Sequence, residues 1–158
     1  MKIMNEIVMY MLAGACVVFL SVMLYSCDDK LDVQQDYDFS LSSWHLPSDI
    51  RVGEEVEIRL TLTREGDYLP AEYYIGYIQM EGKGEVFDGE GNRLVNREIH
   101  PLRDIPGLNR DIPKKQVFTL WYKSLSDKSA EIKFVVEDNF GTHREMDVSF
   151  DVETDAQE

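Results

Sequence analysis

The feature that most constrains this chain is a run in which every second residue is apolar. Val56, Ile58, Leu60 and Leu62 alternate with Glu57, Arg59, Thr61 and Thr63. Successive side chains of an extended strand point to opposite faces, so the pattern makes one dry face and one wet face. A helix would scatter the same residues around its axis. The rhythm returns at Ile132, Phe134 and Val136, and again at Met146, Val148, Phe150 and Val152. Val117, Thr119 and Trp121 interleave with Phe118, Leu120 and Tyr122, which reads as a strand apolar on both sides. Tyr73 to Met80 is another long strand, carrying Tyr73, Tyr74, Ile75, Tyr77 and Ile78. An opening strand near Tyr37 to Trp44 and weaker ones near Glu85 to Phe87 and Arg93 to Val95 complete the set.

Turn-forming clusters separate these strands at Arg51-Val52-Gly53, Glu65-Gly66-Asp67, Asp88-Gly89-Glu90-Gly91-Asn92 and Asn139-Phe140-Gly141. Past residue 36 no apolar stripe holds a helical period for three turns. The expectation is an all-β, immunoglobulin-like β-sandwich of about seven strands over residues 37–154, with an open barrel as the alternative. Residues 155–158 read as a disordered tail.

The N-terminus obeys different rules. Lys2 is followed by a nearly continuous apolar run from Ile7 to Leu24, and polarity then changes abruptly at Cys27-Asp28-Asp29-Lys30. A charged start, an apolar middle and a small residue before the cut describe a secretory signal over residues 1–26. Leu24-Tyr25-Ser26-Cys27 resembles the lipobox of bacterial lipoproteins. That resemblance implies a diacylglycerol thioether on Cys27 and cleavage before it. Acyl chains bury at roughly 0.8 kcal/mol per methylene, so two or three of them anchor durably. Two other readings stay open. The run is long enough for one transmembrane helix, and Cys16 in Ala13-Gly14-Ala15-Cys16 is a second candidate acceptor. Residues 27–36 then form an acidic tether, too polar to bury. Acidic residues directly after a lipidated cysteine resemble the surface-export tags of some lipoproteins. The expected address is the cell envelope, lipid-anchored at the outer membrane, on its periplasmic or surface face.

Charge narrows the partners. Sixteen Lys and Arg against 30 Asp and Glu leave a formal net charge of −14. Such a surface repels phosphate backbones, so no direct nucleic-acid binding is expected. One segment reverses the sign. Between Arg93 and Lys115 lie Arg93, Arg97, Arg103, Arg110, Lys114 and Lys115 against Glu98, Asp104 and Asp111. Pro101, Pro106 and Pro113 break this stretch, and residues 96–115 read as a long connection without regular structure, a feature often tied to function. Arg97, Arg103, Arg110, Lys114 and Lys115 are therefore the candidate partner-binding residues. The alternative is a solvated crossover that balances its neighbours.

The residues offer little catalytic chemistry. Beyond Asp28 there is no cysteine, hence no thiolate ligand, thiol nucleophile or disulfide. His45, His100 and His143 are scattered and none pairs at ligand spacing, so no metal is expected. Asp88-Gly89-Glu90-Gly91-Asn92 places oxygens at alternate positions as a calcium loop does, but Arg93 stands where such a loop needs glycine. A hairpin turn explains it better. Glu137-Asp138-Asn139 is read likewise as a turn rather than an ion site. Trp44, Tyr68, Tyr73 and Tyr77 could stack a sugar, although strand aromatics usually fill the core. Neither an enzyme nor a cofactor is expected, apart from the covalent lipid on Cys27.

Several segments resemble one family. Asn5-Glu6-Ile7-Val8-Met9-Tyr10-Met11-Leu12, the junction Ser26-Cys27-Asp28-Asp29 and the following Asp32-Val33-Gln34-Gln35 look like the TraQ-like lipoproteins of Bacteroides-type conjugative transposons. In the domain, Val52-Gly53-Glu54-Glu55-Val56-Glu57-Ile58-Arg59, Leu62-Thr63-Arg64-Glu65-Gly66, Phe118-Thr119-Leu120-Trp121-Tyr122 and Val136-Glu137-Asp138-Asn139-Phe140-Gly141 are similar to that family's strands. The resemblance implies a one-domain, immunoglobulin-like lipoprotein of the envelope-spanning mating apparatus. Its partners would be envelope proteins of that apparatus, met through protein–protein contact. A surface carbohydrate-binding module is the alternative. Oligomeric state is left open.

Overall fold

The computed structural model describes residues 4, 38–66, 70–112 and 114–153. The chain divides into two units, 1–35 and 36–158, and every strand below lies in the second. Met4 apart, the leader, Cys27, the acidic tether and the tail fall outside the described residues.

Ten strands and one short helical turn follow one another. They are β1 (Phe39–Ser43), β2 (Asp49–Arg51), β3 (Glu55–Arg64), β4 (Tyr73–Glu81), β5 (Gly84–Phe87), β6 (Ile99–Pro101), the 3-10 turn Leu102–Asp104, β7 (Asn109–Ile112), β8 (Lys115–Ser124), β9 (Ala130–Asp138) and β10 (His143–Glu153). One sheet runs β1-β3-β8-β5, with β7 also on β8, and the other runs β2-β10-β9-β4-β6. All pairings are antiparallel except β2 with β10. Two open sheets facing one another make the expected immunoglobulin-like sandwich.

The alternation in sequence becomes the core. In β3 the odd-numbered residues Glu55, Glu57 and Arg59 face water while Val56, Ile58, Leu60 and Leu62 are buried. In β8 the inward row is Phe118, Leu120 and Tyr122; Val117, Thr119 and Trp121 are only half-buried, so that strand has one fully dry face. Ile75, Tyr77, Ile132, Phe134, Val136, Val148 and Phe150 close the core from the second sheet. Burying one such side chain is worth about 1.5–3 kcal/mol.

Three strands exceed the expected number, and one expected strand is absent. Strands β2, β6 and β7 have three, three and four residues, too few to show an alternation. Arg93 to Val95 is not a strand: a single bridge joins Arg93 to Phe87. There Leu94 turns into the core while Val95 stays exposed. The segment 96–115 is likewise not structureless, because β6, the 3-10 turn and β7 stitch it alternately to β4 and β8. Gly76 makes room for this: a side chain there would meet the Glu98 carbonyl oxygen at 2.6 Å.

Both turns considered as ion sites are closed upon themselves. Asp88 Oδ1 accepts hydrogen bonds from the Glu90 and Asn92 amides, and Oδ2 accepts one from the Asn92 side chain. Burial pushes the Asp88 carboxyl up, but these bonds and that of the Gly91 amide outweigh it and hold its pKa below the usual value. Asp138 repeats the arrangement with the Phe140 and Thr142 amides.

Candidate functional site

The crossover from β5 to β8 runs along the side of the sandwich where both sheets end in short strands. It is fixed by three apolar anchors, Leu94, Leu102 and Ile105, all of which reach the core. Its charged residues stay outside. Between the 3-10 turn, the start of β4 and the β3–β8 ends lies a concavity of about 430 Å³. Ala71, Tyr73, Tyr74, Pro101 and Leu102 line its floor, and Arg64, Glu72, Arg103, Arg110 and Gln116 line its walls.

Each wall residue is placed by a different element. Arg64 ends β3, where its amide donates to the Lys114 carbonyl at 2.9 Å. Glu72 is held by the turn after β9: its amide donates to Asn139 Oδ1 at 3.0 Å, and its carbonyl accepts from the Asn139 amide at 3.0 Å. Arg103 projects from the 3-10 turn and pairs with Glu72 at 2.7 Å. Glu72's second oxygen accepts a hydrogen bond from the Tyr74 hydroxyl at 3.4 Å. Arg110 sits in the register break between Asn109 and Ile112 of β7. Among the described residues no carboxylate lies within ion-pair distance of Arg110.

Below them, burial pushes the Tyr73 phenol above its ordinary pKa, and the Arg64 charge and hydrogen bond pull part of the way back. Tyr73 stays neutral at any physiological pH. Among the described residues the concavity is lined by the guanidinium groups of Arg64, Arg103 and Arg110 and the carboxylate of Glu72, on a chain of net charge −14.

The five candidate residues divide. Arg103 and Arg110 enter this concavity. Lys114 and Lys115 are exposed at its edge, with Lys115 opposite Thr63 at the β3–β8 end. Arg97 does not join. Its backbone turns at a φ of 69°, and its amide donates to the Tyr77 carbonyl, farther along β4. Arg64 and Glu72 were not among the candidates. In sequence they sit 30 or more residues from Arg103 and outside the basic stretch from Arg93 to Lys115.

Of the aromatics considered for sugar stacking, Tyr73 and Tyr77 are buried core residues. Trp44 is 74% exposed, and Tyr68 falls outside the described residues. Among the described residues no three His, Cys, Asp or Glu side chains converge as a metal site would require.

Residues 9–153 match the family described as TraQ conjugal transfer protein. Three solved structures are similar over most of the chain. A conjugative transposon lipoprotein from Bacteroides eggerthii is 30% identical with a TM-score of 0.60, covering 73% of this chain and 98% of its own. A lipoprotein from Bacteroides thetaiotaomicron is 31% identical with a TM-score of 0.59, covering 78% and 87%. A conjugate transposon protein from Bacteroides vulgatus is 30% identical with a TM-score of 0.58, covering 78% and 91%. No curated protein matches the chain.

Proposed function

The chain belongs to the TraQ conjugal transfer family, and from that premise we propose that it serves conjugation as a non-enzymatic lipoprotein docking envelope proteins of the transfer apparatus. Cys27 would carry the lipid, residues 28–36 would give reach, and the crossover side of the sandwich would meet the partner. Two relatives are named lipoproteins, which fits the Leu24-Tyr25-Ser26-Cys27 junction in this chain. The observation that carries the docking role is the convergence of Arg64, Arg103 and Arg110 on one concavity of an otherwise acidic protein. Like charges spread over the rest of the surface disfavour wrong partners, while a local reversal gives orientation and on-rate. The outer membrane is the proposed site of anchoring.

The test uses the full-length protein in cells carrying its native element. Cys27→Ser is expected to release it from the membrane fraction and lower transfer, whereas Cys16→Ser does neither. Lysine-reactive crosslinking through Lys114 or Lys115, read by mass spectrometry, is expected to recover envelope proteins of the apparatus. Unchanged membrane retention of the Cys27 variant would sink the anchor. Recovery of glycan-handling proteins alone would sink the docking role.

A further inference from the structure

We propose that the concavity between β4, the 3-10 turn and β7 recognises an extended acidic peptide segment of the partner, one carboxylate of which is taken by Arg110 beside the Glu72–Arg103 pair. This rests on the docking role given above and names the chemistry of what docks.

Three observations carry it. The first is charge. Arginine forks bind carboxylates through paired, charge-assisted hydrogen bonds, and Arg110 has no carboxylate partner among the described residues. Glu72 already answers Arg103 at 2.7 Å, so it acts as an internal stand-in for the ligand's acid. The second is the backbone. Strands β6 and β7 are the outer members of their sheets on this side, and their Pro101 and Arg110 flank the concavity. An outer strand presents unpaired amides and carbonyls to which an extended peptide can add. The third is shape. The lining residues Ala71, Tyr74 and Pro101 supply apolar contact for the residues between the acids. Strand alternation would point one set of side chains at the arginines and the other set away. The buried ring of Tyr73 offers no open face on which a sugar could stack. The outer strands beside the concavity therefore favour a peptide over an acidic saccharide.

The experiment measures fluorescence anisotropy of a labelled, end-blocked hexapeptide alternating valine and glutamate, titrated with the full-length chain in detergent. Its glutamine counterpart and an oligogalacturonate serve as comparison probes. The glutamate peptide is expected to bind about tenfold more tightly than the glutamine peptide, with the advantage fading as salt rises. Arg110→Glu is expected to abolish that advantage, and Glu72→Gln to strengthen binding several-fold by removing the competing carboxylate. Lys133→Gln, on β9 and outside the lining of the concavity, is the control and leaves binding unchanged. Equal binding of both peptides, an Arg110→Glu chain that binds as the parent does, or oligogalacturonate binding that outcompetes the peptide would each overturn the proposal. A photo-crosslinker placed at position 110 in mating cells separates the two levels. Capture of an apparatus protein despite charge-blind peptide binding overturns the acidic-peptide inference and leaves docking standing. Capture of nothing at 110, together with normal transfer by Arg110→Glu, removes both.

Discussion

The β3–β8 pair and the crossover that joins β5 to β8 are neighbours built on opposite principles. Strands β3 and β8 run in unbroken register from Glu55 opposite Lys123 to Thr63 opposite Lys115. Every second residue is buried from Val56 to Leu62 and from Phe118 to Ser124. The crossover from residue 93 to 114 has two strands of three and four residues, a shifted register on β7, and one positive-φ non-glycine residue. Its attachment to the core falls to Leu94, Leu102 and Ile105. Stability is concentrated in the first region, and the proposed recognition falls to the second. A few apolar anchors suffice to position a surface whose remaining side chains are then free to be charged.

The contrast breaks first, and most heavily, in the core. Phe134→Ala removes a fully buried ring from the strand facing β3 and β8. It is expected to cost about 3–5 kcal/mol in denaturant unfolding, enough to unfold a marginal domain. Leu102→Ala removes an anchor of the crossover that is 1% exposed. It is expected to cost about 2 kcal/mol, at the lower end for such a truncation. Amide exchange should accelerate from β6 to β7 and hold steady in β3 and β9. If exchange rises equally everywhere, the crossover is part of the same cooperative unit and the contrast fails.

A smaller effect sharpens the comparison through a turn. Asp88→Asn keeps the shape but loses the charge that accepts the Glu90 and Asn92 amides. About 1 kcal/mol is expected at neutral pH. Because the folded carboxyl titrates below its ordinary value of 3.8, the stability it supplies is complete above that pH. That stability drains away as pH falls through the lowered folded value. The parent and the variant should therefore converge in acid, as urea midpoints across pH would show. The smallest expected change is Arg103→Ala. Its pair with Glu72 is about half exposed on both sides, and such pairs contribute about 0–1 kcal/mol. Unfolding midpoints should barely move while partner binding weakens.

What could be read from sequence follows the same division. Strands β3, β9 and β10 announce themselves because each carries three or more apolar residues at period two. Strands β2, β6 and β7 do not, since a strand of three or four residues is defined by the neighbour it finds rather than by its own pattern. Leu94 and Val95 look like a strand, yet only Leu94 is needed by the core. For the site, the charge reversal between Arg93 and Lys115 led to Arg103 and Arg110. It could not reveal Arg64 and Glu72, which arrive from other elements through the β3–β8 ladder and the Asn139 turn. Nor could it exclude Arg97, whose separation is decided by a backbone turn toward Tyr77.

The central claim is that the crossover exists to be recognised while the ladders hold the fold. It is tested most directly by mating frequency from donors carrying Arg103→Glu with Arg110→Glu, alongside membrane abundance of the protein. Normal abundance with transfer reduced about tenfold or more is the expected result, since reversing charges at a docking site opposes the partner directly. Normal abundance with undiminished transfer would contradict it.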